Sequence, residues 1–222
     1  MREELSPSAS GEPPVSVQVW GPGALFTRPE LKAERVSYPV MTPTAAIGVL
    51  EAIFWKPEFR WRPVAIDVLN PIRQFTQRRN ETTDLVSPSD ALLRRRTVDT
   101  AENRTQRHAV CLRDVAYRIH AHVELEPHAT KNEAAYRDQF RRRVERGQCF
   151  HQPYLGTREF SAYFGKIDER ERITGHSDLG VMLHSVRRRG EDVAFSWFTA
   201  RLENGRMHIP RTGITAAQPV GA

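Results

Sequence analysis

Residues 115–125 read Val115-Ala116-Tyr117-Arg118-Ile119-His120-Ala121-His122-Val123-Glu124-Leu125, and this run decides the fold. Val115, Tyr117, Ile119, Ala121, Val123 and Leu125 alternate with Ala116, Arg118, His120, His122 and Glu124, the two-residue period of a strand with one core face and one wet face. Upstream, Val64–Leu69 is a second strand ended by Pro71, and Val15–Trp20 is a third, with Val15, Val17 and Val19 on one face before Gly21-Pro22-Gly23, read as a turn. Between those two, Thr42 caps a helix that has Pro43 at its first position and Ala46, Val49, Leu50 and Ile53 at helical spacing, and that stops at Trp55-Lys56-Pro57. Downstream, Asn132–Arg146 reads as a second helix stopped by Gly147, and Phe160–Phe164 as a fourth strand.

The resulting order, strand-helix-strand-strand-helix-strand, is the split βαβ pattern of an α+β, ferredoxin-like domain, placed over residues 15–165. Residues 72–108 carry no sustained periodicity and read as a basic insertion, a long loop or irregular hairpin. Leu179–Val186, Val193–Leu202 and Met207–Ile209 read as short strands with Glu203-Asn204-Gly205 as a hairpin turn, a small antiparallel β region over 166–210. Residues 1–14, rich in Ser, Pro and Glu, read as a disordered tail, and 211–222 as a second tail.

The chain has 222 residues, enough for one ordinary domain or two small ones, and a net charge of +6 from 33 basic and 27 acidic side chains. No apolar run approaches the roughly 18–20 residues of a membrane helix, Met1-Arg2-Glu3-Glu4 lacks a signal-peptide core, and Cys111 and Cys149 build no disulfide scaffold, so we expect a cytoplasmic protein with reduced thiols. The charge is clustered: Arg78-Arg79, Arg94-Arg95-Arg96, Arg141-Arg142-Arg143 with Arg146, and Arg187-Arg188-Arg189. Any one cluster is satisfied by solvent; four of them, in guanidinium rather than ammonium form, point to a polyanion.

His120 and His122 project to one face of their strand at a spacing two metal ligands can use, yet no third ligand falls into a metal pattern, and neither metal nor cofactor is expected. With Arg118 they would instead form a nucleic-acid-facing surface. The chain has no P-loop, dinucleotide fingerprint, nucleophile elbow or zincin helix. Trp20, Trp55, Trp61, Tyr38 and Phe26 suit a core better than a base-stacking platform, and Phe54-Trp55-Lys56 puts aromatic and cation together at a helix end.

Three strings, VWGPGALFTRPELKAERVSYPVMTPTAAIGVLEAIFWKP at 19–57, RDVAYRIHAHVEL at 113–125 and RGQCFHQPYLGTREFSAYF at 146–164, together resemble the CRISPR-associated family-five protein of subtype I-C, the d variant, in collinear order over about residues 15–210. The resemblance implies metal-free cleavage of precursor CRISPR RNA at the base of the repeat hairpin, by attack of a 2′-hydroxyl on the adjacent phosphate. It also implies retention on the 5′ handle within the Cascade complex, beside its backbone and large subunits. The family's Tyr or His, Lys and His fall on Phe54, Ala135 and Tyr136, so this chain departs from the pattern and only Tyr136 keeps a proton. Lys131, Lys56, His122 and His151 are the stand-ins. Two readings stay open: a nuclease with rearranged catalytic groups, or a subunit that holds the handle without cutting. Lys56, Arg78, Arg79, Arg107, His108, His122, Arg141, Arg142 and Arg143 are the expected RNA contacts, and the isolated chain is expected to be a monomer.

Overall fold

In the computed structural model, residues 5, 7–31, 33–82, 87–93, 101–190 and 192–215 are described, and they form ten strands and three helices. In chain order these are β1 (Val15–Ala24), β2 (Arg35–Val36), α1 (Pro43–Ile53), β3 (Phe59–Val68), β4 (Gln74–Thr82), α2 (Pro88–Leu92), β5 (Arg104–Leu125), α3 (Glu133–Glu145), β6 (Tyr163–Gly165), β7 (His176–Arg189), β8 (Asp192–Glu203), β9 (Arg206–His208) and β10 (Ile214–Thr215). The fold is mixed α/β on one sheet. Its centre runs β6-β1-β5-β3, antiparallel throughout, and continues through β9 and β8 to β10.

The alternation of β1 and β5 puts Val15, Val17, Val19, Tyr117, Ile119, Ala121 and Val123 on one face, where α1 and α3 cover them. α1 starts where Thr42 Oγ1 accepts from the Ala45 amide at 3.2 Å, and it buries Ala46, Val49, Leu50 and Ile53. α3 starts where Asn132 Oδ1 accepts from the Ala135 amide at 3.0 Å, buries Tyr136, Phe140 and Val144, and gives way to Gly147 at φ +62°. Tyr136 and Phe140 close an aromatic cluster with Phe54, Phe59 and Trp61, ring centroids 4.7 to 5.4 Å apart. Each such buried side chain contributes roughly 1.5–3 kcal/mol.

The structure corrects or extends the sequence reading of several elements. Gly21-Pro22-Gly23 is not a turn: β1 runs through it, because a Cβ at Gly21 would stand 2.8 Å from the Leu155 side chain and one at Gly23 2.7 Å from the Phe160 ring. The glycines serve close packing. β3 begins at Phe59, with Phe59 and Trp61 as core positions and a register shift after Pro63, which has no amide hydrogen for the ladder. The segment read as a loop or irregular hairpin is regular: β4 pairs with β5 from Gln74↔Leu112 to Thr82↔Arg104 without a slip, while residues 94–96 of the Arg94-Arg95-Arg96 cluster lie outside the described residues. The C-terminal β region shares the central sheet, because β9 pairs with β3 and joins the β7-β8 hairpin to the centre.

Parts of both expected tails are anchored. Glu12 pairs with the buried Arg137, which also donates to the Pro13 carbonyl at 2.6 Å, and β10 pairs with β8; residues 1–4, 6 and 216–222 lie outside the described residues. No helix among the described residues is long and apolar enough to cross a membrane.

Candidate functional site

A helix leaves its last carbonyls without partners inside the helix, and α1 has its own supplied by the 143–151 segment. The Ala52 carbonyl accepts from the Phe150 amide at 2.7 Å and the His151 amide at 3.3 Å, and the Ile53 carbonyl accepts from Arg143 Nη1 at 2.8 Å. Arg143 also lies 5.4 Å from the centre of the Phe54 ring, a cation placed at the negative pole of the helix. Two strings separated by about ninety residues in sequence, 54–57 and 146–151, therefore meet at one end of α1. Trp55 and Phe150 are left 55% and 82% exposed there, beside Lys56 and His151. Exposed rings interleaved with cations suit a single strand of nucleic acid.

The structure brings the three expected catalytic positions to this end of the helix layer and removes two of them from chemistry. Phe54 is buried, stacks near Phe59, and uses its carbonyl to accept from Trp61 Nε1 at 2.9 Å. Tyr136 is fully buried against Phe59, with no exposed hydroxyl surface; burial first, then the neighbouring Glu58 carboxylate, push its phenol above the usual range. Ionisation there would set a buried phenolate against the Glu58 carboxylate. Ala135 is half-exposed in the first turn of α3 and carries no functional group. Glu58 itself accepts from Thr130 Oγ1 at 2.6 Å, which lowers its carboxyl, and lies 4.0 Å from Lys56 Nζ.

Of the stand-ins, Lys56, Lys131 and His151 are accessible and His122 is not. His151 is exposed, contacts the Gln152 carbonyl through Nδ1 at 3.4 Å, and neighbours Glu51, whose carboxyl burial raises against the opposing charge of His151. His151 and Phe150 are held at α1 by backbone bonds, so a sequence pattern of side chains gives no sign of their position.

The expected RNA contacts divide into two groups. Arg141 and Arg142 are exposed on α3, Arg141 pairing with Asp138 at 3.2 Å, while Arg143 turns to α1, as steps of about 100° per residue require. Arg78, Arg79, Arg107 and His108 face one another across β4 and β5, Arg78↔His108 and Arg79↔Arg107, on a different part of the sheet. Arg79 is engaged by Glu159 and Glu81, and the His108 amide by Glu34 at 2.6 Å. Arg187 and Arg188 are exposed near the tip of the β7-β8 hairpin.

The face of the sheet away from the helices corrects the reading of His120 and His122 as a wet surface. His122 is 2% exposed, and His120 is buried with Nε2 3.0 Å from Asp67 Oδ2 and Nδ1 2.6 Å from Ser16 Oγ. Asp67, fully buried, also accepts from Arg206 Nε at 2.6 Å and Nη2 at 2.9 Å, with Arg118 and Arg172 within 4 Å. Burial alone would raise its carboxyl; hydrogen bonds and charge from His120 and Arg206 outweigh it and hold the carboxyl far below its ordinary value. The lone acid in Val64-Ala65-Ile66-Asp67-Val68-Leu69 was the sequence signal for this network.

The model of the CRISPR-associated protein family Cas_Cas5, in its Cas5d form, matches residues 15–215. Two relatives named CRISPR pre-crRNA endoribonuclease Cas5d are each 41% identical: that of Thermus thermophilus covers 88% of this chain and 91% of its own length, and that of Mannheimia succiniciproducens 88% and 94%. A solved CRISPR-associated protein shares the fold at TM-score 0.64 and 23% identity, over 88% of this chain and 90% of its own. A chain of a CRISPR RNA-guided surveillance complex does so at 0.53 and 16%, over 93% and 94%. The chain belongs to the Cas5 family of CRISPR-associated proteins, in its Cas5d branch.

Proposed function

We propose that this chain is a pre-crRNA endoribonuclease of the type I-C system that remains on the 5′ handle of its product as a Cascade subunit. The observation that carries this reading is 41% identity to two pre-crRNA endoribonucleases over more than nine-tenths of their length. The face at the end of α1 supports it with chemistry: Lys56 for phosphate, Trp55 and Phe150 for bases, and His151 for a proton. In this reaction the 2′-hydroxyl loses its proton to a base and attacks the adjacent phosphorus. The P–O5′ bond breaks, and the departing oxygen takes a proton, leaving a 2′,3′-cyclic phosphate and a 5′-hydroxyl. His151 handles a proton in this scheme, and Lys56 stabilises the charge that gathers on the phosphate.

The strand order β6-β1-β5-β3, with α1 following β1 and α3 following β5, supports a ferredoxin-like, RNA-recognition-type domain over 15–165, with 166–210 as a C-terminal β region sharing its sheet. The backbone and large subunits of Cascade are its partners in this reading, and the isolated chain is a cytoplasmic monomer.

Incubation of the protein with end-labelled repeat RNA in excess chelator tests the reading. Cleavage of the all-ribose strand, and none of a strand with a 2′-deoxy sugar at the cut, is the expected result. The burial of Phe54 and Tyr136 favours a second reading, a subunit that holds the handle without cutting; retention of uncut repeat RNA would select it. A separate expectation follows for Tyr136. Tyr136→Phe leaves the cleavage rate within about twofold, where loss of a general base costs roughly 10²–10⁴-fold. A loss of that larger size, in a variant with unchanged melting, would return the phenol to the catalytic set.

A further inference from the structure

On the helix-free face of the sheet, residues 168–172 lie against Arg118 and Asp67, while the β1-β6 end carries exposed rings. Ser16, Gln18 and Trp20 alternate with the core residues Val17 and Val19, so all three project to this face. Trp20 is in register with Tyr163 across β1 and β6, and the two rings stack with centroids 6.2 Å apart and planes 24° from parallel. They are 36% and 63% exposed, unlike the cluster around Phe59. The indole lies along the bare backbone of Gly165, where a Cβ would stand 3.5 Å from the ring.

A cavity of about 1130 Å³ lies on the same face, and Ser16, Arg118, Asp168, Glu169 and Arg170 are among its lining residues. Gln18 bridges the two features: its Nε2 donates to Asp168 at 2.7 Å, and it sits two residues, roughly 6.6 Å, along β1 from Trp20. Arg118 is fixed in the wall by bonds to the Asp168 and Arg170 carbonyls at 3.3 and 3.1 Å, and Arg170 is part-exposed beside Asp168. Paired rings followed at about one nucleotide's spacing by guanidiniums and carboxylates match the parts of a ribonucleotide. A base lies on the rings, a phosphate meets Arg170, and ribose hydroxyls donate to the carboxylates. An apolar protein segment would have to desolvate those charges.

We propose that Trp20 and Tyr163 form a second RNA contact, on the face opposite the cutting site, which takes one unpaired nucleobase by stacking and leads its sugar-phosphate toward the cavity. The proposal rests on the reading that the chain works on RNA. It places bound RNA on both sides of the sheet, with a route past its edge.

The test is equilibrium binding of the full chain to a fluorescent oligouridine of about ten nucleotides and to the same backbone without bases. The wild type is expected to prefer the base-bearing strand about tenfold, and Trp20→Ala with Tyr163→Ala to erase that preference while still binding both strands through charge. Trp20→Phe with Tyr163→Phe keeps the preference, which separates stacking from a general loss of fold. A preference that survives the double alanine change overturns the proposal. So does a double alanine variant that binds RNA normally but no longer assembles with the other Cascade subunits, which would make the rings a protein contact. Cleavage of repeat hairpin RNA by the wild-type preparation separates this outcome from failure of the endonuclease reading: a protein that cuts but shows no base preference retains the function and loses the platform.

Discussion

Asp67→Ala is expected to destabilise the fold by about 3–5 kcal/mol, the range for removing one partner of a buried charge network. Asp67 is the single carboxylate inside a ring of His120, Arg118, Arg172 and Arg206, and Arg206 grips both of its oxygens. Without it, cations face one another in a low-dielectric site, and the Asp67–Arg206 side-chain bonds that reinforce the backbone pairing of β3 with β9 are lost. Urea unfolding measures this, and a variant within about 1 kcal/mol of wild type would show that solvent enters the site freely. The same group predicts an acid limb. Its folded pKa lies below the unfolded value of about 3.9, so its stabilisation is complete above that pH and is lost as pH falls below it. Asp67→Ala should therefore flatten the stability-pH curve below about pH 4 as well as lower it.

How far this architecture was legible depended on whether local chemistry or distant packing set each element. The 115–125 half of β5 and both long helices were readable because their periodicity, the Thr42 cap, and Gly147 are local signals that agree with the tertiary fold, while the first half of β5 fell in the stretch read as an insertion. Gly21 and Gly23 misled because a glycine that admits a neighbouring side chain is indistinguishable in sequence from one that turns the chain. β4 was hidden because its face carries Gln74, Thr76, Arg78 and Asn80 with no apolar stripe to announce the period; its partner strand and the single ring of Phe75, packed beside Phe160, hold it. His120 and His122 have the spacing of exposed residues, but both are buried, and His120 meets Ser16, Asp67 and Arg206 from three other strands. The site was legible in its strings and illegible in its geometry. Lys56 and the 146–151 segment were flagged separately, and only the carbonyls of Ala52 and Ile53 join them.

That junction carries the largest expected effect on activity: His151→Ala should slow single-turnover cleavage of repeat RNA by about 10²–10⁴-fold, the usual contribution of a positioned acid or base. Phe54 has no proton, Ala135 no functional group, and Tyr136 a hydroxyl shut inside the core, so the proposed mechanism gives the proton transfers to groups at the surface of the α1 end. Among these His151 is the imidazole. Its backbone is fixed by the bond to Ala52, and the contact of Nδ1 with the Gln152 carbonyl leaves Nε2 to take or give the proton. Lys56, a compact positive charge on a flexible stem, suits the phosphate better than the proton. Affinity for uncut 2′-deoxy repeat RNA should change by less than about threefold in His151→Ala, since one exposed imidazole adds little to a contact dominated by guanidiniums. Loss of rate with affinity kept assigns His151 to the chemistry. Equal losses of rate and affinity would instead make it a binding residue, and a variant that cuts at the wild-type rate would pass the role to Lys131, the remaining accessible stand-in, at the start of α3.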